Sequence, residues 1–186
     1  MTIAPGKPVP AQDTGAPPRR LIVLASIVAA VLAAGVAVVA VFAPSNEPSR
    51  DQLAVPSVPA PQANEPACGT LLAALPPELT SKGTELGRRE LAAPAPPATV
   101  AWGQPDAIVL RCGLERPSEL TPSTQLRAVS GVEWLPVAGQ GTSTWYIVDR
   151  AVYIALTVPD SAGTGPLQEI SDTVAATLPQ VPPRFG

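Results

Sequence analysis

The stretch "AWGQPDAIVLRCG", residues 101–113, decides the fold, because it contains the clearest strand signal in the chain and ends beside a cysteine. In an extended strand, successive side chains point to opposite faces, so Ile108, Leu110 and Cys112 share one face. Arg111 lies on the other face. We therefore predict a strand whose apolar face carries Cys112 towards a core.

The other cysteine, Cys68, lies in a segment whose apolar residues have the spacing of a helix. In "ACGTLLAAL", Cys68, Leu71, Leu72 and Leu75 follow the i, i+3, i+4, i+7 pattern and share one face of a short helix. Two prolines follow directly and end the helix. A helix packed on a sheet would bring the cysteine-bearing faces of both elements together.

A disulfide between Cys68 and Cys112 is the structure that we expect from this arrangement. It would close a loop of about 45 residues and stabilise the fold by roughly 4 kcal/mol in the chain-entropy model. Two inert buried thiols or a redox pair are the alternatives. Redox pairs are normally close in sequence, as C-x-x-C, whereas 43 residues separate these two cysteines.

Three further segments are rich in β-branched and aromatic residues. They are "QLRAVSGVEWLPV", which is interrupted at Gly131, "STWYIVD" and "AVYIALTVP". A shorter strand is expected around Trp102, and a final helix opens at Gly165–Pro166 with proline in its first turn. The predicted fold class is α+β: a two-layer sandwich of an antiparallel sheet of about four strands, with two helices on one face.

Residues 21–43 form a run of 23 residues without a charge. As a helix, this run would be roughly 34 Å long, enough to cross a hydrocarbon core of about 30 Å. Arg19 and Arg20 precede it, and positive charge favours the cytoplasmic side. We predict a single transmembrane helix with a cytoplasmic N-terminus, for which the lipid bilayer is a partner. A cleaved signal peptide is the alternative, and the rest of the chain is exported in both cases.

These features divide the chain into four parts. Residues 1–20 are rich in Pro, Ala and Gly and are predicted to be a disordered cytoplasmic tail, followed by the transmembrane helix at 21–43. Residues 44–66 read as a Pro-rich extracytoplasmic linker with extended geometry. Residues 67–186 are predicted to form the extracytoplasmic α+β domain.

Composition argues against several classes of function. The net charge of −3 offers no basic surface for nucleic acid, so none is expected as a partner. The absence of histidine removes the commonest general base and metal ligand. No nucleophile elbow, phosphate loop or metal-ligand cluster is present in the sequence. We therefore expect no enzymatic activity, no cofactor and no metal.

A binding surface is the alternative to catalysis. Arg111, Arg127 and Tyr153, with Trp145 or Tyr146, could meet as strand neighbours on the sheet face that the helices leave uncovered. A surface of guanidinium and aromatic groups could take an anionic or sugar-like envelope ligand, or a partner protein. Each of these residues also has a purely structural explanation, such as a surface ion pair for Arg111.

Four segments together resemble an actinobacterial envelope protein family of unknown function. They are "WGQPDAIVLRCG", "GVEWLPV", "WYIVDRAVYIAL" and "LQEISDTVAATLP", and the first carries a W-G-x-P…R-C-G motif. Members of that family are short envelope proteins with an N-terminal membrane segment or signal. The resemblance implies paired cysteines and an exported position, and it implies no activity.

We thus expect a single-pass, membrane-anchored extracytoplasmic domain that serves as a non-catalytic accessory or protein-interaction module of the cell envelope. The alternative is an exported domain that binds a small ligand or a cell-wall component. A concave pocket with convergent polar groups would favour the ligand. A flat, exposed apolar patch would favour the protein partner.

Overall fold

The strand that contains Cys112 lies in the middle of an eight-stranded antiparallel sheet. This is seen in a computed structural model, which describes residues 52–185 together with Val23. The strands are β1 (Glu78–Ser81), β2 (Thr84–Arg89), β3 (Thr99–Trp102), β4 (Ile108–Leu114), β5 (Arg127–Val129), β6 (Val132–Ala138), β7 (Thr142–Ile147) and β8 (Tyr153–Pro159). Their order is β1-β2-β3-β4-β8-β7-β6-β5, so two four-stranded meanders meet where β4 pairs with β8.

The chain has two compact units, Met1–Asn46 and Glu47–Gly186, and all described residues except Val23 belong to the second. Two helices lie in this second unit, α1 (Pro66–Ala74) and α2 (Gly165–Thr177). Both have proline in the first turn, where its missing N–H costs nothing. They begin and end within about two residues of the predicted positions.

The two helices cover the same face of the sheet, because side chains from both join one apolar core. From the helices it includes Leu71 of α1, and Ile170 and Val174 of α2. From the central strands it includes Leu110 of β4 and Ile154 of β8, both with no exposed surface. The sheet face beneath the helices is therefore the main core of the fold.

The predicted disulfide between Cys68 and Cys112 is confirmed, with 5.6 Å between the two Cα atoms. It joins α1 to β4, and both cysteines are buried in the core. The bond therefore links the first helix directly to a central strand.

The outer face of the sheet, which the helices do not cover, carries a smaller apolar cluster. It is formed by Leu114, Leu120, Leu135, Val148, Tyr153 and Ala155. Ala60, from the segment that the sequence assigns to the linker, packs against this cluster. In the same segment, the N–H of Gln62 donates to the carbonyl of Gly113 at 3.0 Å, and Leu53 forms a bridge with Leu91. Residues 52–65 thus lie against the sheet.

The predicted fold class is wrong in the size of the sheet. The sheet has eight strands, not about four, because β1 and β2 were not predicted and residues 125–137 form two strands, β5 and β6. Within the described part of the chain, neither helix is long and apolar enough to cross a membrane. The predicted transmembrane segment, residues 21–43, lies outside the described residues apart from Val23.

Candidate functional site

The four residues predicted to form a binding surface lie on two opposite faces of the sheet. Arg111 and Tyr153 lie on the outer face, together with Tyr146, since Arg111 and Tyr146 are both in register with Ala155. Arg127 and Trp145 lie on the helix side, in register with the core residues Trp134 and Leu156. The structure therefore brings the four together only as two separate pairs.

Arg111 is half-buried on the outer face. Its Nη2 donates to the carbonyl oxygen of Pro56 at 3.4 Å, whereas its Nε has no hydrogen-bond partner. Burial lowers the pKa of Arg111, and the neighbouring Tyr146 opposes this shift. Burial raises the pKa of Tyr146, the charge of Glu119 raises it further, and Arg111 lowers it. The contact with Pro56 gives Arg111 a role in positioning the N-terminal segment.

Tyr153, the other predicted residue on the outer face, is covered by the C-terminal segment. Only 5 % of Tyr153 is exposed. Its hydroxyl donates to the carbonyl of Arg184 at 3.2 Å, and the Arg184 guanidinium lies 5.5 Å from the centre of the Tyr153 ring. Tyr153 therefore anchors the C-terminus and is not available to a ligand.

Arg127 and Trp145, by contrast, line a cleft on the helix side. A cavity of about 490 Å³ is lined by Arg127, Ala128, Val129, Trp145, Thr164, Leu167 and Gln168. A second cavity of about 250 Å³ is lined by Ser143, Trp145, Val158, Pro159, Asp160, Ala162, Gly163, Thr164 and Leu167. Trp145, Thr164 and Leu167 line both, so the two cavities adjoin. We call their union the Trp145 cleft.

The cleft is present because helix α2 covers only part of strand β7. Trp145 lies on the helix side of β7, where Ile147 is fully buried. Helix α2 starts only at Gly165, so Trp145 stays partly exposed beside the first turn. That turn is held in place because the Glu169 carboxylate accepts the Thr80 N–H at 2.9 Å.

The polar groups of the Trp145 cleft differ between its two ends. Arg127 at one end is exposed, and no acidic residue lines the larger cavity. At the other end, Asp160 accepts a hydrogen bond from the Ser143 hydroxyl at 3.1 Å. The aliphatic part of Lys82 lies beside Gly163 at the rim of the smaller cavity. The cleft is therefore cationic at the Arg127 end and carries a hydrogen-bond-accepting carboxylate at the Asp160 end.

Three residues of the cleft, Asp160, Thr164 and Gln168, were not found by sequence reasoning. The sequence does show a helix starting at Gly165–Pro166, but not that its first turn lies next to β7. Among residues 52–185, no group of three potential metal ligands from His, Cys, Asp and Glu lies together.

A buried ion pair occupies the turn between β7 and β8. Nη1 of Arg150 lies 2.7 Å from Oδ2 of Asp149, and the two side chains are 2 % and 0 % exposed. Gln180 also donates to Asp149 Oδ2, at 3.2 Å, and the Val181 N–H donates to the Asp149 carbonyl at 3.0 Å. These contacts tie the C-terminal segment to the turn, so the pair has a structural role.

The family described as "Protein of unknown function (DUF3515)" matches residues 26–183 of the chain. No curated protein and no solved structure shows a significant match.

Proposed function

Because the chain belongs to the family of proteins of unknown function that matches residues 26–183, we propose a function from the site itself. The protein is an exported, non-catalytic binding domain whose Trp145 cleft holds a small ligand or a cell-wall component. The observation that carries this proposal is the cleft, in which a partly exposed Trp145 lies between a guanidinium and a carboxylate.

The size and lining of the cleft support ligand binding. Small-molecule sites typically have volumes of about 300–1,000 Å³, apolar walls and a few polar groups that fix the orientation of the ligand. The larger cavity measures about 490 Å³, and Val129 and Leu167 are among the residues that line it. Arg127 and Gln168 supply the polar groups.

A flat protein-docking surface has less support. Within the described residues, only three large apolar side chains are exposed, those of Val23, Val58 and Phe185. Single exposed apolar residues are normal on protein surfaces and do not mark an interface. We therefore prefer a ligand over a protein partner.

Binding is preferred over catalysis because of the groups in the cleft. No histidine, cysteine or lysine is among the residues that line either cavity. Histidine, the commonest general base near neutral pH, is thus missing from both cavities.

The exported position is supported by two features. Residues 21–43 carry no charge and follow Arg19 and Arg20, which favours membrane attachment with the domain outside. The disulfide between Cys68 and Cys112 suits an oxidising compartment, because cytosolic thiols are kept reduced.

Calorimetric titration of the full-length chain in detergent micelles tests the binding function. The titrants are soluble fragments released from isolated cell walls and separated by size. We expect one fraction to bind at a single site, and Trp145→Ala to weaken this binding at least about tenfold, which corresponds to about 1.4 kcal/mol. Trp145→Phe, which keeps a flat aromatic face, is the matched control and retains most of the affinity. The proposal fails if no fraction binds, or if Trp145→Ala binds as the unaltered chain does.

A further inference from the structure

We propose that the ligand of the Trp145 cleft is an acidic saccharide, with its carboxylate at Arg127 and its hydroxyl groups at Asp160. This inference rests on the proposed binding function and names the chemistry of the ligand. Three features of the cleft carry it: the partly exposed Trp145, the unpaired guanidinium of Arg127, and the carboxylate at the opposite end.

Trp145 differs from the other two tryptophans in its surroundings. Trp102 and Trp134 are fully buried, and their indole N–H groups donate to the Pro76 carbonyl at 3.1 Å and the Ser171 hydroxyl at 2.9 Å. Trp145 is partly exposed, and within residues 52–185 its indole N–H makes no hydrogen bond. Its partly exposed ring and its indole N–H are therefore the groups that Trp145 contributes to the cleft.

A pyranose ring suits the Trp145 ring. The face of an aromatic ring carries partial negative charge, and the axial C–H groups on one side of a sugar ring carry partial positive charge. Stacking buries apolar surface while the sugar hydroxyls remain at the edge, where they can reach polar groups. In the cleft, those groups are the exposed side chains of Thr164, Gln168 and Asp160.

Arg127 determines the charge of the ligand. Its side chain is exposed, and among the described residues it makes no ion pair and no hydrogen bond. A guanidinium presents a planar fork of donors that matches the two oxygens of a carboxylate. Since no acidic residue lines the larger cavity, the ligand itself supplies the carboxylate.

Asp160 sets the direction of the ligand and limits its charge. One carboxylate oxygen accepts the Ser143 hydroxyl, and the other makes no hydrogen bond within the described residues. A free carboxylate oxygen accepts hydroxyl groups and repels anions. Repulsion by this carboxylate disfavours a ligand with several phosphates, whereas a single carboxylate at Arg127 lies at the other end of the cleft.

The test compares two ligands of equal shape that differ in charge. The methyl glycoside of galacturonic acid, which carries a single carboxylate, and its methyl ester are titrated separately into the full-length chain in detergent micelles. We expect the acid to bind about tenfold more tightly than the ester, the gain typical of one charge-assisted pair. Arg127→Gln abolishes this difference, because it removes the charge that distinguishes the acid from the ester. Arg116→Gln, which removes an exposed arginine outside the cleft, preserves the difference.

Asp160→Ala tests the hydroxyl end independently. It weakens the ester several-fold because the hydroxyl acceptor is lost, and it weakens the acid by less because the repulsion between the two carboxylates is lost as well. All three variants change exposed side chains, and an unchanged thermal midpoint confirms that the fold is kept.

Two outcomes overturn the inference. In one, the acid and the ester bind equally, or Arg127→Gln keeps the difference between them. In the other, neither saccharide binds. If cell-wall fragments still bind in a Trp145-dependent way, the acidic saccharide is excluded while the binding function stands. If those fragments do not bind either, both proposals fail.

Discussion

At the scale of single residues, Gly113 fixes the path of the N-terminal segment. Its φ of +82° lies in the left-handed region that favours glycine. A Cβ at this position would collide with the backbone of Gln62 and Ala63. The segment crosses β4 at this point, and the Gln62 N–H donates to the Gly113 carbonyl. The sequence indicates only that Gly113 lies at the end of a strand, whereas the structure shows that it is the contact point between β4 and the N-terminal segment.

Comparing two glycine substitutions separates backbone strain from collision. Gly131 has a φ of +74° with open space around it, so Gly131→Ala should cost about 1 kcal/mol of unfolding free energy from strain alone. Gly113→Ala adds the collision and should cost at least about 3 kcal/mol. Urea denaturation of both variants measures the difference, and equal costs would contradict the close approach at Gly113.

The buried pair of Asp149 and Arg150 leads to a second prediction. Asp149→Ala leaves a guanidinium that is 2 % exposed without its partner, and should lower the unfolding free energy by about 3–5 kcal/mol. Asp160→Ala removes an exposed carboxylate and should change it by about 0.5 kcal/mol or less. The urea midpoints of the two variants measure these changes in unfolding free energy. A change for Asp149→Ala as small as that for Asp160→Ala would show that the pair is solvated.

At the scale of elements, the sequence predicts best where the apolar pattern is strong. Strands β4 and β8 and both helices have apolar residues at regular spacing and are found as expected. The hairpin of β1 and β2 was not predicted, because Leu79 and Leu86 are its only large apolar residues. Two isolated leucines give no alternation that a reader of the sequence can recognise.

Strands β5 and β6 were predicted as one strand interrupted at Gly131. The structure has a hairpin there, because Ser130 and Gly131 both take positive φ values, +47° and +74°. Two such residues in succession reverse the chain. Serine is uncommon in this conformation, so the sequence favours an interruption over a turn.

The candidate site could be predicted only in part. The sequence singled out Arg127 and Trp145, but it grouped them with Arg111 and Tyr153 on one face. A shift of one residue in strand register moves every side chain to the other face, and loop geometry sets this register. The hairpin at Ser130–Gly131 places Arg127 opposite Trp134, hence on the helix side. That pairing is not readable from composition or spacing.

The disulfide gives a prediction for how helix α1 is held to strand β4. Replacing both cysteines, Cys68→Ala with Cys112→Ala, should lower the unfolding free energy by roughly 4 kcal/mol, because the unfolded chain regains the freedom of a 44-residue loop. Guanidinium denaturation of the double variant measures this. The unaltered chain denatured in dithiothreitol is the control and should match the variant. A loss under about 1 kcal/mol would contradict this role.

At the scale of the whole molecule, the two faces of the sheet have different roles: one holds the N-terminal segment and the other carries the cleft. The N-terminal segment crosses the outer face, where Pro56 contacts Arg111 and Ala60 joins the apolar cluster. The Trp145 cleft opens on the opposite, helix-covered side. From residue 52 onward, the N-terminal segment thus lies on the face away from the cleft and does not cover it.

The exported position predicts the behaviour of fusions after Gly186. Alkaline phosphatase, which needs oxidised cysteines, should be active when fused there, and a reporter that works only in the cytosol should be inactive. Fusions to a chain that lacks residues 21–43 provide the control and should show the reverse. A cytosolic reporter that stays active on the full chain would place the domain inside the cell.

The account depends most on the claim that the Trp145 cleft holds a ligand, and ¹⁹F NMR of the 5-fluorotryptophan-labelled chain tests it most directly. The chain has three tryptophans, of which Trp102 and Trp134 are fully buried and act as internal references. The Trp145→Phe variant assigns the third resonance. During titration with the soluble cell-wall fragments, we predict that the Trp145 resonance alone shifts and saturates. A Trp145 resonance that stays in place, or a shift of all three together, would contradict the claim.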